Sequence, residues 1–174
     1  LKANPSRRFC ADVGTGSGCI AVALAVNVPD LHLIATDLSR AALQVARRNA
    51  QKHAVNKRIH FIQSHLLPPT SQQFALICAN LPYIPTRTLN GLRVYKREPT
   101  LALEGGKSGL VLITQLLSSS PPRLTPDGLI LLEIEKSQGK KARDIAHRHF
   151  PKAEIHILPD LAGMDRLLVI QNKG

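Results

Sequence analysis

The sequence is poor in cysteine, methionine, acidic side chains and long apolar runs, and each shortage excludes something. Its three cysteines, Cys10, Cys19 and Cys78, stand inside apolar segments at spacings that suit neither zinc ligation nor a paired redox motif. They are expected to be small buried hydrophobes in a reducing, cytoplasmic setting. No apolar stretch reaches the roughly 20 residues that span a bilayer, and Leu1 to Arg8 lacks the apolar core of a signal peptide. A soluble protein with no membrane partner is expected. The one methionine, Met164, is far from the first residue, so the chain is expected to be a piece of a longer polypeptide.

Against 12 acidic residues stand 23 Lys and Arg, a formal charge of +11. Such a field favours anionic partners such as ribosomal RNA or an acidic protein face. Much of it falls on two expected helices, at Arg40, Arg47, Arg48 and Lys52, and at Lys140, Lys141, Arg143, Arg148 and Lys152. Solvated helix faces that confer solubility account for these runs more simply than a dedicated nucleic-acid site, and contact with the ribosome or RNA is the alternative. The seven histidines form no metal constellation. His147 and His149 face different sides of a helix, and His60 and His65 lack a carboxylate cluster, so no metal is expected.

At 174 residues and 44% hydrophobic composition, the chain can bury the core of one domain without disulfides or metals. Runs with strand character recur at Phe9 to Val13, Leu31 to Thr36, Ile59 to Gln63, Phe74 to Ala79, Leu129 to Ile134, Glu154 to Leu158 and Arg166 to Ile170. Between most of them lie helical patterns at Gly18 to Val26, Ser39 to His53, Gly109 to Ser118 and Gln138 to Phe150, with Ser39 as an N-cap. The alternation predicts an α/β domain whose mostly parallel sheet is covered on both faces. Only the short turn around Pro159 to Asp165 separates the last two strands, so they should pair antiparallel. A parallel sheet closed by an antiparallel hairpin is the arrangement of the Rossmann-like class I methyltransferases. Glu133 and Glu135 should share one face at a sheet end, in ordinary pairing. Leu81 to Lys107 fits no element, and a loop of that length at a strand's carboxyl end is where open α/β sheets bind ligands.

The first strand ends in Asp12-Val13-Gly14-Thr15-Gly16-Ser17-Gly18 and runs straight into a helix. Glycines there permit a tight turn and let backbone amides at the helix start approach a ligand. The spacing is one residue short of the dinucleotide fingerprint, and no Gly-Lys-Ser/Thr follows to make a phosphate loop. Asp37, about 20 residues beyond, stands where a carboxylate can accept hydrogen bonds from both ribose hydroxyls. Two cofactor classes remain, nicotinamide dinucleotides and S-adenosylmethionine, and the fourth strand separates them.

That strand ends in Ala79-Asn80-Leu81-Pro82-Tyr83-Ile84-Pro85, which resembles the Asn-Pro-Pro-Tyr motif of methyltransferases acting on planar nitrogens. An amide nitrogen is a poor nucleophile because its lone pair is delocalised, so the site must orient it. The Asn80 side-chain oxygen and the Leu81 carbonyl are candidate acceptors for the two N–H hydrogens, which turns the nitrogen's π face toward the methyl donor. Pro82 holds Leu81 extended, and Tyr83 offers a flat wall.

From Asp12 onward the chain resembles the release-factor glutamine methyltransferase family. The matching stretches are Asp12 to Gly18, Ala35 to Ser39, Ala46 to Ala50, Asn80 to Ile84, Glu98-Pro99 through Gly105-Gly106, Leu131 to Ile134 and Asp160 to Gly163. The resemblance implies methyl transfer from S-adenosylmethionine, leaving S-adenosylhomocysteine, to the glutamine of the Gly-Gly-Gln motif in a peptide-chain release factor. It implies a cofactor held by Asp12, Gly14, Thr15, Gly16, Ser17, Gly18, Asp37, Leu38, His65, Leu66 and Asn80, with Asn80, Leu81, Pro82 and Tyr83 at the reacting amide. It also implies that residues 1–174 form the catalytic domain without the family's helical N-terminal domain. Three departures stand out: Leu81 where proline is usual, His65 in place of an aspartate near the adenine, and Ser108 in place of the aspartate of a Gly-Gly-x-Asp-Gly block. Glutamine methylation of a ribosomal protein, adenine methylation of nucleic acid, and a non-catalytic nucleoside- or RNA-binding module are the alternatives.

Overall fold

The computed structural model describes residues 9–84, 86, 105, 106 and 108–173. Seven strands form one sheet: β1 (Phe9–Val13), β2 (His32–Asp37), β3 (Ile59–Gln63), β4 (Phe74–Ala79), β5 (Leu124–Glu133), β6 (Glu154–Pro159) and β7 (Asp165–Gln171). Their order is β3-β2-β1-β4-β5-β7-β6. The first five run parallel. β7 lies antiparallel between β5 and β6, so the C-terminal hairpin expected from the sequence is present, with its second strand inserted next to the parallel set.

Four helices among the described residues cover the sheet: α1 (Cys19–Asn27), α2 (Arg40–Lys52), α3 (Val111–Ser119) and α4 (Gly139–His149). The period-2 alternation of the strands divides the core in two. Cys10, Leu33, Ala35, Leu76 and Cys78 pack with Ala21, Val22 and Ala25 of α1 and Ala50 of α2. Ala11, Val13, Ile77 and Ala79 pack with Ile113, Leu116 and Leu117 of α3 and with Ala142, Ile145 and Ala146 of α4. β4 is buried along its whole length, as a central strand covered on both faces must be. Because α2 and α4 belong to different layers, the two groups of basic side chains lie on opposite faces of the sheet. They do not merge into one stripe.

Ser39 caps α2, its hydroxyl accepting from Ala42 N–H at 3.2 Å. Three sequence expectations need correction. β5 begins at Leu124, five residues before the expected Leu129. Pro126, Asp127 at φ +57° and Gly128 look like a break, yet the chain resumes pairing after a register shift between Phe74 and Leu76. Cys19 is exposed, because it stands off the buried stripe of α1 formed by Ala21, Val22 and Ala25. Glu135 has left the strand that ends at Glu133 and folds into a turn, accepting from Ser137 N–H at 2.8 Å and from the Ser137 hydroxyl. Cys10 and Cys78 are buried as expected, and desolvation pushes both thiols up to about 12, which removes them from thiolate chemistry. Of the long segment Leu81 to Lys107, residues 85, 87–104 and 107 lie outside the described residues, and with them most of the Glu98 to Gly106 block.

Candidate active site at the carboxyl ends of the parallel strands

Parallel pairing brings the residues that follow β1 to β5 to one edge of the sheet. The glycine turn follows β1, Asp37 ends β2, His65 follows β3, Asn80 follows β4 and Gln138 follows β5. This is the edge at which open α/β sheets hold ligands.

Gly14, Gly16 and Gly18 take φ values of +70°, +55° and +85°, a region costly for any residue with a Cβ. A Cβ on Gly18 would also lie 3.0 Å from Ala46 Cβ, so α2 crosses the turn closely. Asn49 Nδ2 donates to Ser17 O at 2.9 Å. Ala46 and Asn49 therefore brace the turn, a role with no local sign among the residues around them.

Asp12 is 1% exposed. Its Oδ2 accepts from Thr15 Oγ1 at 2.6 Å and from Ala21 N–H at 3.0 Å, while its Oδ1 is buried with no hydrogen-bond partner. Desolvation pushes its carboxyl up to about 6; the Thr15 and Ala21 bonds oppose the rise and the charge of Asp37 adds to it. Asp37 is half-buried. Its Oδ2 accepts from Gly16 N–H at 2.9 Å and its Oδ1 from Ser39 N–H at 2.8 Å. The carboxylate expected to meet a ribose thus also fastens the glycine turn to the start of α2, and each oxygen keeps a second acceptor direction. Leu38 beside it is 50% exposed.

After β3, Leu66 stands at φ +59°. The His65 ring nitrogen Nε2 lies 3.2 Å from Gln115 Oε1 of α3. With Nε2 donating to that oxygen, Nδ1 is the acceptor of the neutral ring. A cavity of about 510 Å³ is lined by His65, Leu66, Leu67 and Pro68 together with Gln115, Ser119, Pro122 and Arg123. Of the residues expected to hold a cofactor, only His65 and Leu66 line it.

Asn80 is exposed at the end of β4, and its side chain makes no hydrogen bond to the described residues. Leu81 is 4% exposed. A Cβ on Gly14 would lie 3.0 Å from Leu81 Cδ2 and 3.7 Å from the Asn80 carbonyl, so the Asn80 turn and the glycine turn sit directly against each other. Pro82 and Tyr83 are half-buried. Gly105 N–H donates to Ile84 O at 2.8 Å and Thr86 N–H to Gly106 O at 3.1 Å, a strand-like bracket around the end of the turn. Ser108 Oγ accepts from Leu110 N–H at 3.3 Å just ahead of α3. This is a local turn bond from the residue two positions on; the N-cap of α3 is Leu110, and no side chain caps the helix. Among the described residues no group of three or more His, Cys, Asp or Glu is gathered as a metal ion requires.

The family model described as "Methyltransferase small domain" matches residues 1–92. The release factor glutamine methyltransferase of Moorella thermoacetica is 43% identical over 158 residues, which are 90% of this chain and 56% of that protein. The protein of the same name from Enterococcus faecalis is 39% identical over 175 residues, 98% of this chain and 62% of its own length. The chain thus spans somewhat more than half the length of the curated relatives it matches. Among solved structures, the ribosomal protein L11 methylase from Lactobacillus delbrueckii subsp. bulgaricus superposes with a TM-score of 0.72 at 24% identity, covering 99% of this chain and 74% of the other. A methyltransferase from Pyrococcus furiosus gives 0.71 at 19% identity, covering 100% and 79%. These structures share the class I methyltransferase fold with this chain.

Proposed function

This chain belongs to the methyltransferase small domain family, and from that premise we propose that it transfers a methyl group from S-adenosylmethionine to the side-chain amide of a glutamine in a peptide-chain release factor. The observation that carries the reading is the contact of the two turns, Gly14 against Leu81 and Asn80, which sets an amide-orienting loop beside a cofactor-binding loop. The substrate is taken from the names of the relatives.

The residues present fit the cofactor. The buried Asp12 Oδ1, without a partner, is the acceptor that a methionine ammonium needs. The remaining acceptor directions on Asp37 suit ribose hydroxyls, and the exposed Leu38 and the His65-Leu66 turn suit a purine. S-adenosylmethionine, when bound, supplies a methyl group on an electron-poor sulfonium.

The chain's own residues do the rest by positioning. Asn80 Oδ1 and the Leu81 carbonyl accept the two amide hydrogens of the glutamine, which fixes the amide plane and presents the nitrogen's face. As the new C–N bond forms and the sulfur–methyl bond breaks, its electron pair leaving on sulfur as a neutral thioether, positive charge would grow on that nitrogen, and the same two oxygens would face it. The nitrogen would then lose one N–H proton to solvent. No strong base is needed before attack, because the amide turns acidic only as the bond forms. Tyr83 forms the flat wall of the slot.

Among the described residues, the basic side chains of α2 and α4 lie on opposite faces of the sheet and form no single groove; the choice of a protein substrate rests on the names of the relatives. The test is mass spectrometry of a release factor incubated with the full-length protein and S-adenosylmethionine. A gain of one methyl on the Gly-Gly-Gln glutamine is expected. Label in RNA, DNA or a ribosomal protein instead, or cofactor binding without transfer, overturns the reading.

A further inference from the structure

We propose that Gln138 is a positioning residue for methyl transfer, a clamp that holds the far end of the Asn80–Tyr83 turn; this rests on the reading of that turn given above. Gln138 immediately precedes α4 and is 6% exposed. Its side chain does not cap that helix. It reaches instead across to two other segments, and both N–H donors and the carbonyl oxygen of the amide are engaged. Oε1 accepts from Glu135 N–H at 3.0 Å. Nε2 donates to Tyr83 O at 3.1 Å and to Gly109 O at 3.3 Å.

The pattern fixes the amide in one orientation, since a flip would set Oε1 against two carbonyls and Nε2 against an N–H. Among the described residues it is the only side chain that hydrogen-bonds the backbone of residues 80–84. The glycines around it show how tightly the turn is backed. A Cβ on Gly109 would lie 2.2 Å from Tyr83 O and 2.7 Å from Gln138 Nε2, and one on Gly105 would lie 2.8 Å from Tyr83 Cα and 2.7 Å from Pro82 O. The turn is therefore held at three places. β4 holds the Asn80 end, the buried Leu81 side chain anchors the middle against Gly14, and Gln138 ties the Tyr83 carbonyl to both the β5–α4 turn and the start of α3.

An acceptor pair that orients an amide works only while its spacing is kept, and displacement of about 1 Å from the reactive geometry can cost on the order of 100-fold in rate. Both ends of the Gln138 amide are engaged by backbone groups of this chain, so the residue acts through the turn. Its removal should lower kcat and leave cofactor affinity alone.

The test uses the full-length protein with Gln138→Leu and Gln138→Glu. Gln138→Leu should lower kcat on a release factor about 10- to 100-fold, with S-adenosylmethionine affinity within about twofold of wild type by calorimetry. Gln138→Glu presents a carboxylate to two carbonyl oxygens at neutral pH. On acidification its carboxyl regains one donor for Tyr83 O while still accepting from Glu135 N–H. The ratio of its kcat to that of wild type should rise as pH falls, and the ratio for Gln138→Leu should stay flat. A residue that only holds the fold together would change the folded fraction and not this pH-dependent ratio. Hydrogen exchange reads the clamp without turnover: the hydrogen-bonded amides of Thr86, Gly105 and Glu135 should exchange faster in Gln138→Leu, while the amides of β1 stay protected. Wild-type kcat in folded Gln138→Leu, or a flat ratio for Gln138→Glu, overturns the proposal. If wild type itself transfers nothing to the release factor, the substrate reading fails, and the exchange at Thr86 and Gly105 decides the clamp: acceleration upholds it and unchanged protection refutes it.

Discussion

Asp12 and Asp37 grip consecutive residues of one turn: Asp12 Oδ2 accepts from Thr15 Oγ1 at 2.6 Å, and Asp37 Oδ2 accepts from Gly16 N–H at 2.9 Å. The two carboxylates reach the turn from neighbouring strands β1 and β2 and hold it in the left-handed conformations that its glycines permit. They differ in environment. Asp12 is almost fully enclosed and keeps one oxygen unpartnered, whereas Asp37 is half-buried and ties both oxygens to backbone N–H groups. One is suited to a single cationic contact, the other to several neutral donors.

Asp37→Ala should therefore have two effects. Losing hydrogen bonds from neutral donors to a charged acceptor costs about 1.5–3 kcal/mol, so S-adenosylmethionine affinity should fall about 10- to 150-fold. The Gly16 and Ser39 N–H groups also lose their acceptor, so denaturant unfolding should show a smaller loss of stability. Calorimetric titration that finds the affinity unchanged removes Asp37 from the site.

Asp12 makes a pH prediction. Its folded carboxyl is raised to about 6, above the ~3.9 of an unfolded aspartate. The folded state thus holds a proton that the unfolded state has released between these values. Stability from this group is fully present below ~3.9 and is lost as pH rises through about 6. Asp12→Asn should abolish this component, so the difference in unfolding free energy between wild type and variant should change between pH 4 and 6. A bound ammonium favours the ionised form, so wild-type cofactor affinity should weaken as pH falls below about 6, with a proton released on binding. Parallel stability profiles for the two proteins would show that Asp12 holds no such proton.

Leu81→Pro separates packing from chemistry. Leu81 is 4% exposed and its Cδ2 fills the space over Gly14. Proline retains part of that contact, so stability should fall by about 1–3 kcal/mol. The proposed acceptor is the main-chain carbonyl, which proline retains, so turnover per folded molecule should stay near wild type. A folded Leu81→Pro without activity would move the acceptor role elsewhere.

The parts of this architecture that depend on near neighbours could be read from the sequence. β1, β3 and β4 fall on the expected residues, because each is a short, largely apolar segment of strand-forming residues between turn signals, and β4 is apolar throughout. The Ser39 cap needs only a hydroxyl ahead of a helical pattern. The glycine turn, Asp37 and Asn80 converge on one edge because alternating strands and helices force parallel pairing. What was hidden depends on distant partners. Gln138 reads locally as a polar residue at a helix start, and its bond to Tyr83 spans 55 residues. Asn49 reads as an exposed helical polar residue, and its partner Ser17 is 32 residues away. The first half of β5 was masked by Pro126 and Gly128, whose turn character is real but is bridged by pairing on both sides. Each omission is a case in which tertiary contact overrides local preference.

Asn80→Ala bears most directly on mechanism. The side chain is exposed at the end of β4 and makes no hydrogen bond to the described residues, so its loss leaves no buried group unsatisfied and should cost little stability. Asp12, the glycine turn and Asp37 keep their mutual bonds, so cofactor affinity should change little. What disappears is one of the two proposed acceptors for the glutamine amide. The nitrogen would then have a single fixed N–H and rotate about it, and only one of the two oxygens that face the growing positive charge would remain. Loss of one preorganised polar contact at a reacting centre lowers turnover about 100- to 1000-fold. Single-turnover kinetics on a release factor should show that loss in the transfer step, with the S-adenosylmethionine titration superimposable on wild type. Near-normal transfer by Asn80→Ala would mean that the amide is oriented by other groups, and the slot formed by Asn80, Leu81 and Tyr83 would no longer be the site of reaction.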